Sequence, residues 1–194
     1  MLIFWEQRLV FLANPKTGSS AIEMALESLA SAALQRPAML KHTDVATFRR
    51  HVGPWLQAQT GEAFTTVALM REPVDWLRSW YRFKLRDDHD DPHHAMQGVS
   101  FARFAELYAA DDGPSRLGIG SQAGFLTDGD AHADCIFRYE QIQDFVDFLE
   151  NRLDCAIELP RINVPPSVDV ALSDEAEEDL RELMAEDMML YDSI

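Results

Sequence analysis

The sequence predicts an α/β fold in which a parallel sheet is flanked by helices on both faces. Three observations point there. RLVFLA (8–13) and AFTTVALM (63–70) are short, largely apolar runs of strand length, without the polar alternation of a half-exposed strand. Each is followed by a segment whose apolar residues fall at helical spacing or whose proline opens a helix. A third run, DCIFRY (134–139), is again followed by a helical pattern, and strands alternating with helices in this way build parallel sheets.

Taken in order, MLIFWEQRLVFL reads as strands, because it has neither the basic start nor the small-residue cleavage site of a leader. Ile22, Leu26, Leu29 and Ala33 predict a helix from Ser19 to about Leu34. Thr43 is placed to cap a helix through His51, ended by Gly53 and Pro54. Pro73 opens a helix to about Arg86, and DDHDDPHH (87–94) follows as a polar loop. Ser100 caps a helix over 101–110 that DDGP stops, and residues 113–133, punctuated by Gly and Asp, read mostly as loop. A helix over 141–152 follows the third strand, and the prolines of IELPRINVPPS keep that stretch extended. Ser173 begins an acidic helix to about Tyr191, with Leu180, Leu183, Met184 and Leu190 on or near one face. The 194 residues suit one domain spanning 1–194.

Charge is divided unevenly. Residues 1–86 carry 11 Lys/Arg against 7 Asp/Glu, and residues 87–194 carry 6 against 26. With no basic surface across the chain, nucleic acid is not an expected partner. The acidic half reads as a solvated surface. No apolar run approaches the ~18 residues of a membrane span. Cys135 and Cys155 lack metal-motif spacing and cannot build a disulfide framework, so a reducing cytoplasm is the expected location.

The chemistry concentrates in two places. NPKTGSSAIEMAL (14–26) joins the first buried strand to a helix through a turn containing Gly18. Backbone N–H groups at a helix start favour phosphate or sulfate. Lys16 adds a full positive charge, and Ser19 and Ser20 add hydroxyl donors in the first turn. An ATP-binding loop would read G-x-x-x-x-G-K-[ST], whereas here Lys16 precedes Gly18 and the first glycine is missing. The second place is MREPVDWLRSWYRF, after the second strand. Arg71 stands at the strand's C-terminal end, where open α/β sheets bind ligands. Ser79 lies about two turns along the next helix, and a guanidinium and a hydroxyl so placed can hold one phosphate. Nucleotide hydrolases have an acidic residue at such a strand end to hold magnesium; with Arg71 there, protein cations can neutralise the phosphate without a metal. Arg78 and Arg82 read as a solvated helix face, and Trp76, Trp80 and Phe83 as core. DDHDDPHH lacks a recognised metal-ligand spacing.

Together the two segments resemble the sulfotransferase superfamily that uses 3′-phosphoadenosine-5′-phosphosulfate (PAPS), in its bacterial and carbohydrate-type members. The chain reads Pro15-Lys16-Thr17-Gly18-Ser19-Ser20 where that family has P-K-[TS]-G-x-[TS], its 5′-phosphosulfate loop. Arg71, Pro73, Ser79 and Tyr81 match the 3′-phosphate motif R-x-P-x-x-x-x-x-S-x-Y. LKHTDVATF, FRYEQI (137–142) and RINVPPS add weaker likenesses, so the resemblance spans most of the chain. Ala21 stands where many members have a further hydroxyl, which leaves the 5′-phosphate contacts to Ser19 and Ser20.

The resemblance implies a three-layer P-loop-like fold. It also implies transfer of a sulfuryl group from PAPS to the hydroxyl of a small-molecule or carbohydrate acceptor, with 3′,5′-adenosine bisphosphate as product and no metal. Lys16 is then the cation for the leaving group. His42, in the matching Lys-His segment and with an ordinary pKa near neutrality, is the first candidate for the base. Glu23 and Lys41 remain alternatives for the base, and Lys41 can instead contact the sulfuryl oxygens or be solvated. Arg138 ends a strand and is a candidate to reach the donor, with Glu140 beside it holding the loop. A P-loop nucleotide kinase and a non-catalytic nucleotide-binding module of the same fold are the competing readings. The acceptor and the oligomeric state are not legible.

Overall fold

A computed structural model describes residues 1–85, 96, 98–160, 162 and 168–194. In chain order the elements are β1 (Leu2–Phe4), β2 (Leu9–Leu12), α1 (Ser19–Leu26), β3 (Ala32–Ala33), α2 (Ala38–Lys41), α3 (Val45–Thr47), α4 (Gly53–Thr60) and β4 (Thr65–Met70). They continue with α5 (Pro73–Lys84), α6 (Phe101–Ala109), α7 (Gly113–Leu117), α8 (Gln122–Leu126), β5 (Thr127–Asp128), β6 (Ala131–His132), β7 (Cys135–Arg138), α9 (Ile142–Leu153), α10 (Asp174–Leu183) and α11 (Ala185–Asp192). The chain forms two compact units. One holds Met1–Arg71 and the stretch from Gln122 through α9; the other holds Glu72–Ser121 and the C-terminal helices.

The first unit is built on a five-stranded mixed sheet of order β3-β1-β2-β4-β7, flanked by helices. β2, β4 and β7 are parallel, with Leu12 opposite Ala68 and Met70 opposite Arg138. The expected all-parallel sheet is thus parallel only in this half; β1 runs antiparallel to both β2 and β3. The reason is the connection: only residues 5–8 separate β1 from β2, which permits a hairpin but not the dozen or more residues of a parallel crossover. Leu9, Phe11, Val67 and Leu69 pack with Ile22 and Leu26 of α1 and Phe145 and Leu149 of α9. The alternate residues Val10, Leu12, Ala68 and Met70 are fully buried as well, so both faces of these strands are covered. That is why the two runs read as continuously apolar.

Several element boundaries differ from the sequence reading. α1 ends at Leu26, tightens into one 3₁₀ turn and gives way to β3, because Ala32 and Ala33 pair with Ile3 and Leu2 at the sheet edge. A tertiary ladder here overrides helix propensity. Asp44, not Thr43, caps α3: its carboxylate accepts from the Thr47 N–H at 2.7 Å, while the Thr43 hydroxyl donates to the Leu40 carbonyl. Gly53 and Pro54 do not end that helix. A wide π turn over Phe48–Val52 precedes them, so Pro54 becomes a first-turn residue of α4, where its missing N–H costs nothing. Residues 113–133 hold α7, α8 and the β5–β6 hairpin, with little loop between them. The C-terminal helix breaks at Met184 into α10 and α11.

In the second unit, Val74, Trp76, Leu77 and Tyr81 of α5 share a core with Phe101, Phe104 and Tyr108 of α6 and Leu180 and Met184. Trp80 packs against it and touches both Trp76 and Phe83 edge-on. Arg78 is not simply solvated: it binds Glu177 at 2.6 Å. Arg181 bridges Glu177 (3.1 Å) and Glu72 (2.8 Å), which ties α10 to α5. The two arginines hold the Glu177 carboxyl below its ordinary range. Among the described residues, no helix is long and apolar enough to cross a membrane.

Candidate anion-binding site

The parallel strands β2, β4 and β7 end along one edge, and each delivers a candidate residue there: the 13–18 loop, Arg71 and Arg138. The loop turns at once, with the Asn14 N–H donating back to the Leu12 carbonyl at 3.0 Å. The buried Asn14 amide donates to the Leu69 carbonyl (3.0 Å) and to Gln122 Oε1 (3.3 Å), which fixes the loop's start against β4. The Thr17 hydroxyl, also buried, donates to the Asn14 carbonyl at 2.9 Å and closes the turn. Its role is therefore to shape the loop.

Lys16 (φ 66°) and Gly18 (φ 77°) both adopt the left-handed region. For a lysine this conformation costs roughly 1–2 kcal/mol, and such strain gathers at ligand sites. At Gly18 a second constraint applies: a Cβ there would lie 3.0 Å from the Tyr139 ring. Gly18 precedes α1, and no side chain caps that helix. The first N–H groups of α1, from Ser19 and Ser20, lie outside the helix's own ladder, so the positive end of the helix is presented by backbone alone.

Arg71 is brought to this loop. Its Nη1 donates to the Lys16 carbonyl at 3.3 Å, and its guanidinium carbon lies 4.8 Å above the Tyr139 ring centroid. Its backbone is held on both sides by one side chain: the Arg71 N–H donates to Gln122 Oε1 (2.9 Å), and Gln122 Nε2 donates to the Arg71 carbonyl (2.7 Å). Arg138, half-buried, ends β7 opposite Met70, one residue before Arg71.

Lys41 and His42 come from the end of α2. Lys41 Nζ lies 2.6 Å from Glu23 Oε2 and donates to Ser20 Oγ at 3.2 Å. Since Ser20 Oγ accepts from Lys41, its own hydrogen points elsewhere, ready for another acceptor. Glu23 is buried and serves as the counter-ion of Lys41, which makes it a poor base. His42 Nδ1 lies 2.6 Å from the Ala13 carbonyl. A carbonyl only accepts, so Nδ1 carries the hydrogen and Nε2 the lone pair. Burial pushes the His42 pKa below its ordinary 6.5, outweighing the hydrogen bond to Ala13.

Of the residues expected from sequence, Pro15, Lys16, Thr17, Gly18, Ser19, Ser20, Arg71, Arg138, Lys41 and His42 all fall within the first unit. Ser79 lies half-buried on α5, in the second. The sequence reading missed Asn14, Gln122 and Tyr139 as parts of the site. Tyr139 sits in FRYEQI, a stretch already singled out, but Gln122 lies in a segment read as loop and carried no signal. Among the described residues, no group of three or more His, Cys, Asp or Glu could hold a metal ion, and DDHDDPHH lies outside them. Compared with known proteins, the chain matches no family model, no curated protein and no solved structure.

Proposed function

We propose that the chain is a sulfotransferase that moves a sulfuryl group from PAPS to an acceptor hydroxyl. The whole chain would then form one domain of P-loop-like architecture working in the cytoplasm. The observation that carries the reading is the Arg71–Lys16 contact. Two motifs 55 positions apart, each with the residue types an anion needs, meet at one sheet edge. The start of α1, which no side chain caps, and the Ser20 hydroxyl, whose hydrogen is not used by Lys41, suit the 5′-phosphosulfate. Arg71 suits the 3′-phosphate.

In the reaction, an acceptor oxygen attacks sulfur as the bond from sulfur to the phosphate oxygen breaks. The acceptor proton passes to His42 Nε2, and the charge growing on the leaving phosphate is met by Lys16. Positioning and fixed charge supply most of the barrier reduction. The test is sulfuryl transfer from sulfur-labelled PAPS to a panel of small alcohols and carbohydrates. Transfer is expected, with Lys16→Ala lowering turnover by about 10²–10³. Magnesium-dependent transfer of phosphate from ATP, with none from PAPS, would instead establish a nucleotide kinase. Tight PAPS binding without transfer to any acceptor would leave a binding module.

A further inference from the structure

We infer that Gln122 is a positioning residue of the donor site, acting through Arg71. This rests on the proposed sulfotransferase reading. Gln122 is fully buried, at the first position of α8, and its amide makes three hydrogen bonds that join two different chain segments. Oε1 accepts from both the Asn14 amide and the Arg71 N–H, and Nε2 donates to the Arg71 carbonyl. One side chain therefore fixes both peptide groups of Arg71 and, through Asn14, the start of the Lys16 loop.

The consequence is geometric. Arg71 follows the last residue of β4, where the ladder with β7 stops at Met70. Beyond a ladder's end nothing regular sets the direction of the next side chain. The Gln122 amide replaces the missing partner strand for this one residue. With the backbone so held, the guanidinium has a defined origin from which to reach the Lys16 carbonyl and lie over Tyr139. The site asks for one acceptor and one donor from the same planar group, which a neutral amide supplies at every pH. A carboxylate would set oxygen against the Arg71 carbonyl, and an apolar side chain would leave the Asn14 amide and the part-buried N–H and carbonyl of Arg71 without these partners.

The experiment measures 3′,5′-adenosine bisphosphate affinity in wild type, Gln122→Met, Arg71→Ala and the double variant. Gln122→Met should weaken binding by roughly tenfold or more, the scale of one buried polar group losing its partner. In the Arg71→Ala background the same change should have almost no further effect, since the two act as one unit. If Gln122→Met does not fold, Gln122→Glu decides. Its bisphosphate affinity relative to wild type should be near one at acid pH, where the carboxyl is protonated and keeps a donor, and should fall as pH rises. Wild-type affinity in Gln122→Met, equal losses with and without Arg71, or a Gln122→Glu defect indifferent to pH would each overturn the inference while leaving the proposed function intact. A wild-type chain that binds no bisphosphate would remove both.

Discussion

His42 is held by its Nδ1 hydrogen bond to Ala13, which leaves Nε2 as the basic nitrogen, and burial keeps that nitrogen unprotonated near neutrality. His42→Asn retains a donor for the Ala13 carbonyl but has no base. It should lower turnover by about 10²–10⁴ and leave bisphosphate binding near wild type, as single-turnover and binding assays would check. The pH dependence has a definite sign. Because the folded pKa lies below 6.5, kcat/KM should hold steady down to that value and fall only on its acid side. For the same reason the unfolded chain binds the proton more readily. The neutral imidazole thus disfavours folding as pH drops from 6.5 through the lowered value. Glu23→Gln separates His42 from Glu23 as the base. Leaving Lys41 without its carboxylate should cost about 1–3 kcal/mol of stability, read from denaturant unfolding, while the acid limb of the rate persists and moves to lower pH, because the Glu23 charge helps hold the His42 proton. A stable Glu23→Gln protein that lost that limb would make Glu23 the base.

Among the elements, the turn between β2 and α1 depends most on residue identity. Gly18→Ala meets two obstacles, the left-handed φ and the Tyr139 ring at 3.0 Å, and the methyl cannot move without displacing the floor beneath Arg71. It should lower the melting temperature and weaken bisphosphate binding together; substitution at Gly61, also left-handed but with nothing within 4 Å, should affect stability alone. The elements also show what the sequence made legible. β2, β4, α5 and α6 were readable because burial on both faces, a first-turn proline or a serine cap leaves a local mark, and α9 because Phe145, Val146 and Leu149 recur at helical spacing. β3 was not, since it exists through its pairing with β1; the π turn before α4 and the small elements of 113–133 were not either, because each is too short to show a hydrophobic period. The site divides in the same way. Lys16, Gly18 and Arg71 declare themselves by residue type and spacing. Gln122 offers only an ordinary amide, whose partners Arg71 and Asn14 lie 51 and 108 positions away, and no local pattern marks it.

At the scale of the whole molecule, the account rests on the loop and Arg71 serving one ligand with two separated phosphates. The chain as a whole is strongly acidic, so a general attraction to anions would not explain such binding; it must come from local cations and helix-end donors. The most direct measurement is thermal unfolding of the full chain with 3′,5′-adenosine bisphosphate, set against ATP plus magnesium, for wild type and Arg71→Ala. At 100 times its dissociation constant, a ligand confined to the folded state adds about 2.7 kcal/mol. The account predicts that the bisphosphate raises the wild-type midpoint, that ATP with magnesium does so less, and that Arg71→Ala loses most of the gain. Stabilisation by ATP with magnesium alone, or a bisphosphate effect untouched by Arg71→Ala, would contradict it.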